Sequence, residues 1–226
     1  MPARIVFVFL QTTAIGLADV AGARAASQQQ DIIDKATMTV RKLLADPELP
    51  TLRRRMKRAK GALVIPSLIK GGFVFGAEGG SGVLLARRAD GNWGYPAFYT
   101  VGGASFGFQA GIQDSEVIFV IMTDKGLTAM MEKKFKLGAD ASIAMGPIAG
   151  AGVRGATTAN LGADIFAYAV TRGVFGGISF DGTAVIGREA WNRAYYGDGA
   201  SAHGIIVKQR FSNKAADGLR RALAGK

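Results

Sequence analysis

Residues 51–76 read TLRRRMKRAKGALVIPSLIKGGFVFG. Six positive charges stand between Arg53 and Lys60, and the stretch beyond them is mostly glycine, aliphatic and aromatic. Leu52, Met56, Ala59 and Leu63 recur at i, i+4, i+7 and i+11, one stripe of a helix. Arg53, Arg54, Lys57, Arg58 and Lys60 spread over the rest of that cylinder. Thr51 is the expected N-cap, and Gly61 ends or loosens the helix. Past it the period changes to two. GFVFG, GVLLARR, GYPAFYTV and EVIFVIMT read as strands. This change of period predicts an α+β fold. Helices come first, and a mostly antiparallel, twisted sheet or barrel-like core comes after them.

Toward the N-terminus, Ile32, Ile33, Ala36, Val40, Leu43 and Leu44 predict an amphipathic helix over Gln28–Ala45, ended before Pro47. The stretch before it carries Arg4, an apolar run Ile5–Leu10 and the small-x-small triplet Ala23-Arg24-Ala25. That pattern reads as a secretory signal cut after Ala25, which leaves 26–226 as a single domain. The alternative is a buried amphipathic helix. The chain has no later run of about 20 uncharged apolar residues, so no membrane-spanning helix is expected.

Toward the C-terminus, Asp90-Gly91 in ADGNW predicts a hairpin turn. GGASFGFQAGIQ alternates strictly, with Phe106, Phe108, Ala110 and Ile112 on one face and a small-residue face opposite. A short helix is expected over Gly126–Lys134. LGADASIAMG and ADIFAYAV read as strands, and GVFGGISFDGTAVIG as a hairpin turned at Asp181-Gly182. Lys214–Leu223 reads as a short basic helix that closes the chain.

The 226 residues carry a net charge of +11 and a pI near 10.1. Such a field attracts phosphate-bearing partners: nucleic acid, anionic lipid headgroups or acidic polymers. Cysteine is absent and His203 is the single histidine. This excludes disulfides, thiolate metal sites, a cysteine nucleophile and a multi-histidine metal centre, so no metal and no cofactor is expected.

Two motifs invite catalytic readings. Gly103-Ala104-Ser105-Phe106-Gly107 fits G-x-S-x-G, and His203 comes later in the chain. The elbow needs a sharp strand-to-helix turn, whereas Ser105 lies inside an alternating strand pattern. Gly150–Gly155 fits G-x-G-x-x-G but lacks a helix-forming run after it, so a plain glycine loop is the better reading. The aromatic residues alternate within apolar strands as core residues do. They are not interleaved with the cations as an RNA-binding strand requires. No enzyme and no nucleic-acid binder is expected.

From residue 58 onward the order of features resembles the SYLF lipid-binding domain family. The resemblance runs through Lys60-Gly61, Pro66, Lys70, Gly72-Phe73, Gly76, Gly80, Gly82 and Asp90-Gly91-x-Trp93-x-x-Pro96. It continues through Gly107-x-Gln109-x-Gly111, Leu137-Gly138-Ala139, Gly146-Pro147, Tyr168, Gly173-x-Phe175-x-Gly177, Asp181-Gly182, Asn192 and Tyr196-Gly197. It covers roughly residues 30–210, most of the chain. It implies non-enzymatic binding of membrane lipids, of phosphoinositide type in eukaryotic members, and actin binding and bundling in yeast relatives. Bacterial members are usually exported single-domain proteins, many with a lipid anchor. Without a cysteine, attachment here is expected to be non-covalent or through an uncleaved N-terminus. An exported, periplasmic or peripheral envelope location is expected, and actin is not an expected partner there.

The residues expected to meet lipid headgroups are Arg53, Arg54, Arg55, Lys57, Arg58, Lys60 and Lys70, the last on a loop before GGFVFG. Glycine turns around Gly71-Gly72 and Gly79-Gly80 are expected to offer backbone N–H groups to phosphate. Each cation near an anionic surface contributes about 1 kcal/mol, so three or four acting together give roughly 3–4 kcal/mol. The Leu52–Met56–Ala59 stripe either packs on the sheet or dips into the bilayer. The alternative function is a cell-envelope interaction protein that uses the same patch for an acidic polymer or an unidentified protein partner.

Overall fold

In the computed structural model, residues 16–72, 75–106, 111–132, 135–149, 162–173, 180 and 183–226 are described. Of residues 16–27, 75, 104–106, 111, 148–149 and 173 only the backbone is described. The chain is α+β, as expected. Helix α1 (Gly16–Ala45) begins before the predicted segment, and α2 (Pro50–Met56) comes after it. Strands β1 (Gly61–Gly72), β2 (Phe75–Ala86), β3 (Ala97–Phe106) and β4 (Gly111–Ile121) come next. Helix α3 (Asp124–Met130) leads to β5 (Phe135–Lys136), β6 (Ile143–Ala149), β7 (Ile165–Gly173) and β8 (Ala184–Gly187). Helices α4 (Glu189–Tyr196), α5 (Ala202–Ile206) and α6 (Asp217–Leu223) close the chain, with a 3₁₀ turn at Lys214–Ala216 just before α6.

The eight strands form one curled sheet in the order β5-β8-β3-β2-β1-β4-β7-β6. The ladders are antiparallel except β6–β7, which is parallel. Strands β4-β1-β2-β3 make a Greek key. The alternating run GGASFGFQAGIQ is therefore not one strand. It supplies the end of β3 and the start of β4, which lie on opposite sides of the β1–β2 hairpin. Phe108 and Ala110 lie outside the described residues, and Ile112 is exposed.

Where β1 begins and β4 ends both faces of the sheet are covered, so Gly61–Ile65 and Val117–Ile121 are buried without a break. Ala62, Val64, Val83, Ile118 and Val120 pack on one side with Ile33, Ala36, Val40 and Leu43 of α1 and Leu219 of α6. Leu63, Ile65, Leu84, Val117 and Phe119 pack on the other with Met130 of α3, Phe135, and Ile205 of α5. Leu63 is thus a strand residue in the second cluster, not the last member of the helical stripe.

The strand begins at Gly61 and runs through Pro66, earlier than the sequence pattern predicts. Proline has no N–H to give a ladder, and in a central strand it is tolerated at a bulge. Both ladders of β1 shift register there, between Val64 and Ser67 toward β2 and between Ile65 and Leu68 toward β4. At the other end of β2 the expected turn forms. Gly91 takes φ of +81°, and Asp90 Oδ1 accepts from the Asn92 N–H at 2.9 Å. The Asp181-Gly182 turn pair and the Gly150–Gly155 loop lie outside the described residues.

Candidate functional site

Helix α2 sorts the basic run by geometry. Thr51 is not its N-cap. Leu49 holds that position and Pro50 fills the first helical one, where its missing N–H costs nothing. At 3.6 residues per turn, Leu52 and Met56 share the inner side with Ala59. They are 0%, 3% and 1% exposed, so the stripe is core and no part of it is available to a bilayer. Arg53 and Lys57 fall on one flank, Arg54 and Arg58 on the outside, and Arg55 on the opposite flank.

These positions have different fates. Arg55 lies 3.6 Å over the centroid of Phe166, and its Nη1 donates to the Tyr168 hydroxyl. Lys60 stands 3.3 Å from Asp124, both side chains exposed. Arg53 Nη1 donates to the carbonyls of Leu44 and Asp46, each at 2.9 Å, and so caps the C-terminal end of α1. The side chains of Arg54, Lys57 and Arg58 are exposed and make no hydrogen bond or ion pair among the described residues.

Lys70 is not on a loop. It is a β1 residue, 6% exposed, in register with Glu78 and Gln113. Ten strand residues, roughly 30 Å, separate it from Lys60. It therefore does not join the basic run. The glycine turns are corrected in the same way. Gly71 and Gly72 lie in β1, and Gly79 and Gly80 in β2, each in register with a neighbour on both sides. Their backbone groups serve the sheet and are not loop donors for phosphate.

Beside α2 the structure forms an open cleft of about 710 Å³ between the C-terminal ends of α1, α2 and α6. Five cationic residues line it: Arg41, Arg53, Lys57, Arg87 and Lys226. Among the described residues no aspartate or glutamate does. Leu44, Met56 and Leu223 supply apolar wall. Arg87 is held by three backbone carbonyls, Nε to Ala59 at 3.0 Å, Nη1 to Gly91 at 2.7 Å and Nη2 to Met56 at 2.9 Å. Its guanidinium carbon sits 4.6 Å from the Trp93 ring centroid. Burial pulls its pKa below the usual arginine value. The nearby carboxylates are engaged elsewhere: Asp217 with Arg220 at 2.7 Å, Asp90 with Arg88 at 3.7 Å, and Asp46 with the Glu48 N–H at 2.8 Å.

A family model described as Ysc84, "Las17-binding protein actin regulator", matches residues 102–226. "LAS seventeen-binding protein 3" of Saccharomyces cerevisiae is 36% identical over 171 residues, 74% of this chain and 37% of that protein. The chain belongs to the Ysc84 (SYLF) domain family. "Protein YSC84" of the same yeast is 33% identical over 171 residues, 74% of this chain and 36% of its own length. The human "SH3 domain-containing YSC84-like protein 1" is 35% identical over 150 residues, 66% of this chain and 43% of its own. The chain thus spans less than half the length of these relatives.

In this SYLF domain the cleft recruits Arg41, Arg87 and Lys226 from segments far apart in sequence. Local charge density, the signal that marked residues 53–60, gives no hint of them. Ser105 lies in β3, in register with Gly76, in an extended strand and not in an elbow. His203 is exposed on α5. No group of histidine, aspartate and glutamate fit to hold a metal occurs among the described residues, and no helix there is long and apolar enough to cross a membrane.

Proposed function

We propose that this domain binds anionic phospholipid headgroups at a membrane surface without transforming them. The observation that carries the reading is an exposed pair, Arg54 on α2 and Arg58 in the turn that follows it, with no carboxylate partner among the described residues, beside a cation-lined cleft that α2 also walls. With Leu52, Met56 and Ala59 committed to the core, association is by charge and not by insertion. Export to the periplasm or cell envelope, with residues 1–25 removed, is part of the proposal. The name of the yeast relative, LAS seventeen-binding protein 3, describes a binding protein, which fits a non-enzymatic role.

Vesicle flotation tests it. The domain is expected to float with phosphatidylglycerol and cardiolipin vesicles at low salt, to be released near 1 M salt, where the Debye length is about 3 Å, and to ignore phosphatidylcholine. Arg54→Gln with Arg58→Gln removes about 2 kcal/mol of surface attraction, so anionic-vesicle binding is expected to weaken about thirty-fold. The melting temperature is expected to stay put, because neither side chain has a hydrogen-bond or ion-pair partner to lose among the described residues. Equal binding to neutral vesicles sinks the electrostatic reading.

A second reading is a protein partner on the same face. The family model's description, an actin regulator that binds Las17, favours it. Co-sedimentation with filamentous actin separates the two. Pelleting that survives Arg54→Gln and Arg58→Gln, in a domain that ignores vesicles, supports the protein reading.

A further inference from the structure

The cleft between α1, α2 and α6 holds more positive charge than its helix ends call for. Three helix C-termini converge on it, and each carries at most about half a negative charge, about 1.5 in all. Five cationic side chains face that. Arg53 and Arg87 are the two that cap, since they already donate to the carbonyls of Leu44, Asp46, Met56, Ala59 and Gly91. The side chains of Arg41 and Lys57 are exposed and have no hydrogen bond or ion pair among the described residues. With no aspartate or glutamate among the described lining residues, positive charge is left over for a ligand.

We propose that this cleft is a one-to-one site for a phosphomonoester. Arg41 and Lys57 contact the phosphate directly. Arg53 and Arg87, fixed on their carbonyls, supply a field that is in place before the ligand arrives. Leu44, the partly buried apolar side chain of the lining, takes the organic part. A phosphomonoester carries between one and two negative charges near neutrality and offers three terminal oxygens, enough for an arginine fork and an ammonium together. A phosphodiester headgroup carries one charge and leaves more of the surplus unanswered. The volume, about 710 Å³, is that of a small-molecule pocket. The inference rests on the headgroup reading only in that both take phosphate. It adds a discrete site, distinct from the exposed pair Arg54 and Arg58, and a preference among phosphates. The ligand chemistry has two sources, a lipid of the phosphatidic acid type or a soluble phosphate ester.

Titration calorimetry with the intact chain tests the site, using glycerol 3-phosphate, dihexanoyl phosphatidic acid below its micellar concentration, and dihexanoyl phosphatidylglycerol. The wild type is expected to bind the phosphatidic acid one-to-one and at least about tenfold tighter than the phosphatidylglycerol. Arg41→Gln with Lys57→Gln is expected to weaken that binding at least about tenfold, with an unchanged melting temperature, while Arg54→Gln with Arg58→Gln shifts it less than about twofold. Arg41→Lys, which keeps the charge and loses the fork, is expected to fall between. Binding of glycerol 3-phosphate as tight as the phosphatidic acid assigns the site to soluble esters; binding of the lipid alone assigns it to headgroups. Equal affinity for the two short-chain lipids, or an Arg41/Lys57 variant that binds like wild type, overturns the proposal. Vesicle flotation on the same samples separates the two readings. Flotation without any one-to-one binding sinks the cleft and spares the membrane reading, and one-to-one binding without flotation does the reverse.

Discussion

Gly82→Ala is expected to destabilise the domain by about 3 kcal/mol, in the upper range for forcing an extra carbon into a packed site. Gly82 lies on β2 opposite the bulge that Pro66 forces into β1. A Cβ there would stand 2.5 Å from the Val64 carbonyl oxygen and 2.9 Å from Ile65 Cγ1. The first of these is backbone held in the sheet, so the neighbour cannot swing away. At 2–4 °C per kcal/mol for a chain of this size, melting is expected about 10 °C lower. Gly79→Ala on the same strand is the control. Its Cβ would meet only the Val101 carbonyl, at 4.0 Å, so it should cost less than about 1 kcal/mol. Thermal unfolding followed by circular dichroism compares them. If the two variants melt within about 2 °C of each other, the close approach of β1 over Gly82 is not what requires glycine there.

That prediction also explains where the sequence was readable. Ile33, Ala36, Val40 and Leu43 announced α1 because a helix buries residues three and four apart, and all four are buried. Asp90-Gly91 announced its turn through local chemistry, a positive φ and an Asx hydrogen bond. β1 was legible only in part, because Pro66 is ordinarily a sign against a central strand and the bulge that accommodates it depends on β2 and β4. The division of GGASFGFQAGIQ between two strands is decided by the hairpin that lies between them, not by any residue in the run. Helices α4 and α5 gave no signal. In α4 the deeply buried residue is Asn192, whose Oδ1 accepts from the Phe98 N–H at 2.8 Å, and a polar residue breaks an apolar pattern.

The same distinction governs the candidate site. Charge density located α2, and helical spacing separated its inner stripe from its cations. What each cation does depends on residues more distant in sequence. Arg55 belongs to Phe166 and Tyr168, Lys60 to Asp124, and Arg53 to the end of α1. Arg41 and Arg87 enter the cleft because α1 and the β2–β3 turn end where α2 ends. That is a tertiary fact with no local trace.

Asp164→Ala is expected to cost about 3 kcal/mol at neutral pH, since three part-buried donors lose their acceptor, each at the low end of the roughly 1–3 kcal/mol that a fully buried one costs. The carboxylate stands where β4 ends and β6 and β7 begin. Its Oδ1 accepts from Thr123 Oγ1 at 2.6 Å, and Oδ2 accepts from Ser142 Oγ at 2.9 Å and the Ser142 N–H at 3.2 Å. Thr123 Oγ1 in turn accepts from the Gly126 N–H at 3.0 Å and so caps α3. One side chain therefore ties α3 to the paired starts of two parallel strands. The Thr123 hydroxyl, followed by the Ser142 donors, holds the Asp164 pKa below the usual carboxylate value against the opposing effect of burial. Lys125, 3.6 Å away but 71% exposed, contributes little. A carboxylate whose folded pKa is depressed adds stability that is complete above its unfolded pKa, near 3.9, and is lost as pH falls through the folded value. The gap in unfolding free energy between wild type and Asp164→Ala, measured in urea, is thus expected to be widest at pH 6–7 and to narrow at roughly pH 3. A gap of the same size at both pH values would mean that the ionised carboxylate is not what joins α3 to β6 and β7.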